Sequence, residues 1–429
     1  MATFAHCKVN IKSTKLSNSK DFITVGLDAK RIVHNATGLG SYGRTLVRDL
    51  AAIDGLNLRL YAPDAGRDDL RSQVISPVGG DSSAGGDSSA GGDLSAGGDL
   101  QSPTFCYPEG FQPLGKSYWR TKGMVSQLVR DGVQVYHGLS GELPIGLQKT
   151  GIRSVVTIHD LIFMRHPEWY NPTDVKIYTQ KFRHAIEEAD RIVAISECTR
   201  RDICELGDIA PEKVELIYQS CAPRFSSMTV GTVPDDMAMK LIWYVHDYYG
   251  LPDRYILSVG TIEERKNALL AVKALHNLPD DLSLVLVGRS TDYVQRIWEY
   301  AQENGLGDRL VMLHDVPDDH LPPIYRLAEA FVYPSRYEGF GIPIIEAIRM
   351  GLPVVACTGS CLEEAGGPHN LYVSPDDECA MAAAVGKVLC GEEGREQRIA
   401  QSQKYIERFE NTGAAQRFAE LYRELITEY

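Results

Sequence analysis

Short apolar runs rich in branched residues alternate with helical stretches along almost the whole chain, and near the middle the rhythm starts again. This pattern admits few folds. Strands buried on both faces and separated by helices build parallel, doubly wound sheets, and two rounds of the pattern build two of them. In the first half the expected strands are 22–27, 56–61, 133–136, 154–158, 191–195 and 214–217. Helices are expected at 173–189 and 198–206, with another after a glycine-rich loop at 38–43. In the second half, strands at 255–259, 283–287, 310–313, 330–333 and 353–357 alternate with helices at 266–274, 292–304, 321–328 and 343–350. Pro223, Gly231 and Pro234 interrupt both patterns and place a join at about 222–240. The expected division is a polar extension (1–20), an α/β domain (21–222), a second α/β domain (223–411) and a C-terminal helix (412–429). In that helix Phe418, Leu421, Tyr422 and Leu425 recur at steps of three and four, on one face.

One segment breaks the rhythm. Residues 79–99 repeat the unit GGDSSA or GGDLSA, which offers almost no apolar surface to offset its ordering entropy. A disordered surface insertion without chemistry is expected. The chain carries 44 basic and 57 acidic residues, a formal charge of −13, to which the repeat contributes Asp81, Asp87, Asp93 and Asp99. Such a balance argues against nucleic-acid binding, which needs clustered Lys and Arg. The nine cysteines show no CxxC spacing, so neither a disulfide framework nor a zinc site is indicated. Residues 1–20 lack the apolar core of a secretion signal, and no apolar run approaches the roughly 18–20 residues of a membrane span. A cytoplasmic enzyme is therefore expected.

In open parallel sheets, ligands bind beyond the carboxyl ends of the strands, so the loops leaving the strands hold the chemistry. After strand 255–259 comes Gly260-Thr261-Ile262-Glu263-Glu264-Arg265-Lys266-Asn267. Arg supplies a bidentate fork and Lys a point charge, a pair suited to a diphosphate at a helix start. After strand 330–333, Glu338-Gly339-Phe340-Gly341-Ile342-Pro343 leads into a helix bearing Glu346. Here the glycines admit close backbone approach, and a carboxylate at each end suits hydroxyl groups. His159 follows strand 154–158, where a proton-handling role and a structural one stand about level. The run Gly38-Leu39-Gly40-Ser41-Tyr42-Gly43 has the form GxGxxG but begins ten residues beyond Asp28, which weakens a dinucleotide reading.

At these four loops the sequence resembles the retaining glycosyltransferases of family 4, over roughly residues 23–425 apart from the repeat. The resemblance implies the GT-B architecture: two facing Rossmann-like domains, the first for the acceptor and the second for the donor, with the C-terminal helix returning to the first. It implies that Arg265 and Lys266 hold the donor diphosphate and that Glu346 takes the ribose. Glu338 and the amides of Gly339, Phe340 and Gly341 would grip the hexose. His159 would approach from the opposite domain, with Gly38, Gly40 and Gly260 lining the donor site. No metal or other cofactor is implied. The Glu-Arg-Lys-Asn form of the first loop resembles mannosyltransferases of surface polysaccharide assembly, so GDP-mannose is the expected donor. The expected acceptor is a glycan or lipid-linked acceptor, reached by peripheral contact with the inner face of the membrane. A nucleotide-sugar 2-epimerase and a catalytically silent nucleotide-sugar-binding protein are the competing readings.

Overall fold

The computed structural model describes residues 22–75, 102–109, 115–219, 221, 223–225, 235–410 and 413–427. The polar extension and the 79–99 repeat lie outside these residues. Two parallel sheets form, as two rounds of alternation require. The first contains β1 (Ile23–Asp28), β2 (Leu56–Tyr61), β3 (Thr104–Cys106), β4 (Val135–Gly138), β5 (Arg153–Ile158), β6 (Arg191–Ala194) and β7 (Val214–Leu216), in the order β3-β2-β1-β4-β5-β6-β7. The second contains β8 (Tyr255–Val259), β9 (Ser283–Val287), β10 (Leu310–Leu313), β11 (Ala330–Tyr333), β12 (Val354–Cys357) and β13 (Leu371–Val373), in the order β10-β9-β8-β11-β12-β13. Each sheet reverses its direction of growth once, between β1 and β4 and between β8 and β11. A reversal of this kind opens a crevice beyond the carboxyl ends of the two strands that flank it.

The final helix, Ala414–Thr427, packs against the first sheet although it follows the second in the chain. Phe418, Leu421, Tyr422 and Leu425 are buried among Val25, Leu27, Val135 and Val155, each contributing about 1.5–3 kcal/mol. The Tyr422 hydroxyl meets His137 Nδ1 at 2.7 Å, and His137 Nε2 meets Thr157 Oγ1 at 2.8 Å. Burial, helped by nearby His159, lowers the His137 imidazole to about 3, so the ring is neutral.

Three local expectations are corrected. The glycine-rich run is not a loop but the opening of the helix Gly38–Ala51. A Cβ on Gly40 would stand 1.7 Å from the Asn35 carbonyl oxygen, and one on Gly43 would stand 2.8 Å from Ile32 Cγ1. These two glycines let the helix press onto the turn before it. Arg265 and Lys266 belong to a single turn, Glu264–Lys266, and the helix begins only at Ala268. The helix Asp235–Tyr249 occupies part of the segment expected as a join.

Candidate active site

The loops that leave β8 and β11 meet at the crevice of the second sheet. Gly288 has no side chain where the end of β9 crosses them; a Cβ there would stand 1.8 Å from Gly260 O. Asn267 takes the left-handed conformation, with φ of 56°, and its Nδ2 donates to Pro334 O at 3.2 Å and Pro375 O at 2.8 Å. This ties the cationic turn to the loop carrying Glu338. Lys266 Nζ then donates to Glu338 Oε1 at 2.5 Å and to the Tyr333 hydroxyl at 2.9 Å. The Arg265 guanidinium donates to Tyr337 O at 2.7 Å and Glu263 Oε1 at 2.7 Å, and stands 3.3 Å from Glu338 Oε2.

Both cations therefore share one buried carboxylate. Burial pushes the Glu338 carboxyl up, but Lys266 and Arg265 outweigh it and hold the group at about 2. Burial opposes charge on Arg265 and Lys266 in turn, and Glu338 overrides it, keeping both above their ordinary values.

The first sheet closes the other side. Gly339 faces the end of β5 so closely that a Cβ on it would stand 2.2 Å from His159 O. Ser196 Oγ donates to Gly339 O at 2.6 Å, Thr199 Oγ1 donates to His159 O at 3.0 Å, and the Tyr337 hydroxyl donates to Asp202 Oδ2 at 2.6 Å. The carboxylate of Glu364, from the second sheet's side, accepts from Glu197 N at 2.8 Å, at the N-terminus of the helix Glu197–Gly207, where the helix dipole favours an anion. Burial raises the Asp160 carboxyl, opposed by its bond from Ile162 N at 3.2 Å and by the charge of Arg265. Tyr170 is pushed up to about 12 by burial and by Asp160.

Two family models match the chain: "Glycosyltransferase Family 4" over residues 36–220 and "Glycosyl transferases group 1" over residues 250–405. The O-antigen chain mannosyltransferase B of Escherichia coli is 32% identical over 267 residues, covering 61% of this chain and 67% of that protein. The chain belongs to glycosyltransferase family 4. Another relative of this family 4 enzyme, the serotype-specific mannosyltransferase WbdA of E. coli, is 29% identical over 287 residues, and the match spans only 34% of its length. Solved structures agree on the fold. A glycosyltransferase from Rickettsia africae superposes with a TM-score of 0.70 at 14% identity, over 95% of this chain and 100% of that one. Anabaena HepE in complex with UDP and glucose gives 0.67 at 14%, over 94% and 100%. The two facing α/β units of this glycosyltransferase are the GT-B arrangement.

Within that arrangement the expected site residues divide. Arg265, Lys266 and Glu338 form one ion-paired cluster, and Gly339 joins it to His159. His159 donates from Nε2 to Leu139 O at 2.9 Å and accepts at Nδ1 from Gln219 Nε2 at 2.9 Å; burial lowers it to about 4. With both ring nitrogens engaged, the imidazole is held neutral and oriented rather than poised to exchange a proton. Glu346 stands outside the ion pairs, taking the Tyr325 hydroxyl at 3.0 Å on Oε2. Burial raises its carboxyl despite the charge of Arg224. Gly341 caps the helix Ile342–Arg349 at φ of 106°, and Phe340 is buried against Tyr218 at 5.6 Å between ring centroids. Gly38 and Gly40 open their helix in the first α/β unit, and Tyr42 of that helix packs edge-on to the His159 ring at 4.8 Å. Asp160, Asn267 and Tyr333 lie on or beside the loops expected to carry chemistry, but no role was expected for them. Among the described residues, no group of three or more His, Cys, Asp or Glu is placed to hold a metal ion, and no helix is long and apolar enough to cross a membrane.

Proposed function

We propose that this glycosyltransferase moves a mannosyl residue from GDP-mannose, with retention of anomeric configuration, to a hydroxyl of a glycan or lipid-linked acceptor in surface polysaccharide assembly. On this reading it works peripherally at the cytoplasmic face of a membrane. The observation that carries the proposal is the cluster in which Lys266 and Arg265 share Glu338 at the switch point of the second sheet, against His159 and Asp160 of the first. The names of the E. coli O-antigen mannosyltransferases support the sugar and the pathway.

As the bond from the anomeric carbon to the phosphate oxygen breaks, its electron pair leaves with the diphosphate, and positive charge grows on the sugar. Lys266 and Arg265 stabilise the departing diphosphate, and they do so most strongly in the transition state. The acceptor oxygen attacks on the face the diphosphate leaves, and its proton passes to a departing phosphate oxygen. Glu338, released from the cations by the diphosphate, takes hexose hydroxyls together with the amides of Gly339, Phe340 and Gly341. Glu346 takes the ribose. Gly260 gives the diphosphate close access, Gly38 and Gly40 line the donor site between the phosphates and the acceptor, and His159 fixes the wall opposite the hexose. No metal takes part.

The test is acceptor-dependent release of nucleoside diphosphate from GDP-mannose, UDP-glucose and UDP-N-acetylglucosamine, with proton NMR of the product's anomeric configuration. GDP release with an α-linked mannoside supports the proposal. Preference for a uridine donor, or an inverted product, overturns it, as does full turnover in the Arg265→Ala/Lys266→Ala double variant.

A further inference from the structure

A second cleft, of about 280 Å³ and open to solvent, lies in the first α/β unit beside its switch point. Asp28 at the end of β1 forms one wall, with Arg120 and the segment Glu142–Ile145; residues of the helix Pro172–Glu188 form the other. The volume is near the lower end of small-ligand sites, about 300 Å³, and suits a single sugar ring. Its charges cancel internally: Arg120 bonds Asp28 at 2.7 Å and pairs with Glu142, and Lys181 pairs with Glu142 at 3.1 Å. Among the described residues that line the cleft, both cations, Arg120 and Lys181, are paired with carboxylates. Ile145 and Ile177 line the same cleft while each exposing 42% of its surface. Two buried polar atoms of lining residues, Arg120 Nε and His184 Nε2, have no hydrogen-bond partner. Apolar walls beside paired charged groups and the Gln180 amide suit a neutral ligand with both C–H faces and hydroxyl groups.

The position of the cleft is fixed relative to the ion-paired cluster. Ser140 Oγ donates to Asp28 Oδ2 at 3.3 Å, and the neighbouring Leu139 O accepts from His159, whose own carbonyl faces Gly339. β1, β4 and β5 are adjacent in the sheet, so the Asp28 wall of the cleft stands about two strand spacings, ~10 Å, from the contact with the Glu338 loop. This is farther than one sugar ring reaches.

We propose that this cleft is a distal acceptor subsite, which binds a neutral saccharide residue of the acceptor one or more units away from the hydroxyl that attacks. The inference rests on the transferase reading above and adds to it that the enzyme selects its acceptor by length. A saccharide seated between Ile145 and Ile177 anchors the chain, and the attacking end extends along the ends of β4 and β5 to the hexose.

The test needs no donor. The full chain, labelled at isoleucine methyl groups, is titrated with methyl α-mannoside, mannobiose, mannotriose, maltotriose and inorganic phosphate. The Ile145 and Ile177 signals are expected to move with a trisaccharide at about a tenth of the monosaccharide concentration or less, and to stay still with phosphate. The Ile177→Trp variant is expected to weaken trisaccharide binding about tenfold or more, while hydrolysis of the nucleotide sugar in water stays within about twofold of the parent. Signals unmoved by any saccharide, signals moved equally by phosphate, or an unchanged length preference in Ile177→Trp would overturn the proposal. If methyl shifts persist while no donor supports transfer, it is the mannosyltransferase reading that fails instead.

Discussion

The contact between Gly339 and His159 invites the sharpest perturbation. In Gly339→Ala the new methyl group would stand 2.2 Å from a backbone oxygen, with Asp160 Cβ a further neighbour at 3.1 Å. Neither atom is the free end of a flexible side chain. Restoring ordinary contact takes roughly 1 Å of movement, because carbon pairs reach their optimum only at about 3.5–4.0 Å. That movement must open the seam between the sheets, where Ser196 and Thr199 hold the same two carbonyls. A displacement of ~1 Å at a reacting centre costs about 10²-fold in rate, or about 2.7 kcal/mol. The expected outcome is a kcat lowered about a hundredfold, with nucleoside diphosphate affinity held within about threefold, because the cluster of Arg265, Lys266 and Glu338 lies wholly on the second sheet's side. Steady-state turnover and calorimetric titration of the nucleotide check the two halves. Gly386→Ala serves as control, since a Cβ there meets nothing within 4 Å. Parental turnover in Gly339→Ala, with the two sheets unmoved in its crystal structure, would refute the seam as a determinant of the reaction.

Other outcomes follow from the same geometry. Glu338→Gln leaves two buried cations without their carboxylate and should destabilise the protein by about 3 kcal/mol; added nucleoside diphosphate should raise its Tm more than it raises the parent's. Stability should also decline as the medium becomes acid, in two windows. His137 and His159 are depressed from 6.5 to about 3 and about 4, so the unfolded chain takes up protons first and stability falls from about pH 6.5 downward. Glu338, depressed from 4.5 to about 2, adds about 3 kcal/mol above pH 4.5 that is lost as the pH falls through 2. Urea midpoints from pH 8 to pH 2 read both windows, and a flat profile above pH 4.5 would contradict the histidine part. Tyr422→Phe strips a partner from buried His137 and should cost about 1–3 kcal/mol, while kcat stays within about twofold; a larger loss of kcat would mean that the final helix does more than anchor.

The fold was legible because it rests on apolar periodicity. β2, β8, β9, β10 and β11 fall at their expected bounds, and the remaining expected strands differ by no more than two residues at an end. β3 and β13 were missed because each is three residues long and only partly buried; β7 is as short but Ile217 extends its apolar run. The helix Arg395–Glu410 was missed although Ile399, Ser402, Ile406 and Phe409 are buried at helical spacing; its polar composition concealed a narrow stripe. In the site, the adjacent Arg265 and Lys266 and the glycine-flanked Glu338 were visible because each sits at a strand end. What joins them was not visible. Asn267 is fixed by carbonyls some 67 and 108 residues away, and Gly339 by a carbonyl on the other sheet. Such partners are set by tertiary approach, and no local pattern encodes them.

On the proposed reading, the arrangement also accounts for how an acidic chain would hold a diphosphate. Positive charge is gathered at one switch point, and without ligand it is neutralised on the spot by Glu338 rather than left exposed. Arg265 and Lys266 are matched by Glu338 and Glu263, so on that reading a diphosphate binds by displacing a carboxylate rather than by meeting spare positive charge. On the proposed reading, the donor displaces a carboxylate from cations that are already aligned, and little reorganisation remains for the reaction itself. The freed carboxylate then faces the hexose, so a single exchange of partners fills the phosphate and sugar positions together. Lys266→Met separates this exchange from simple charge attraction. If the exchange holds, the variant loses hexose discrimination as well as diphosphate affinity, because Glu338 stays bound to Arg265. Competition binding with GDP, GDP-mannose and GDP-glucose reads both effects, and a loss confined to the diphosphate would leave the exchange without support.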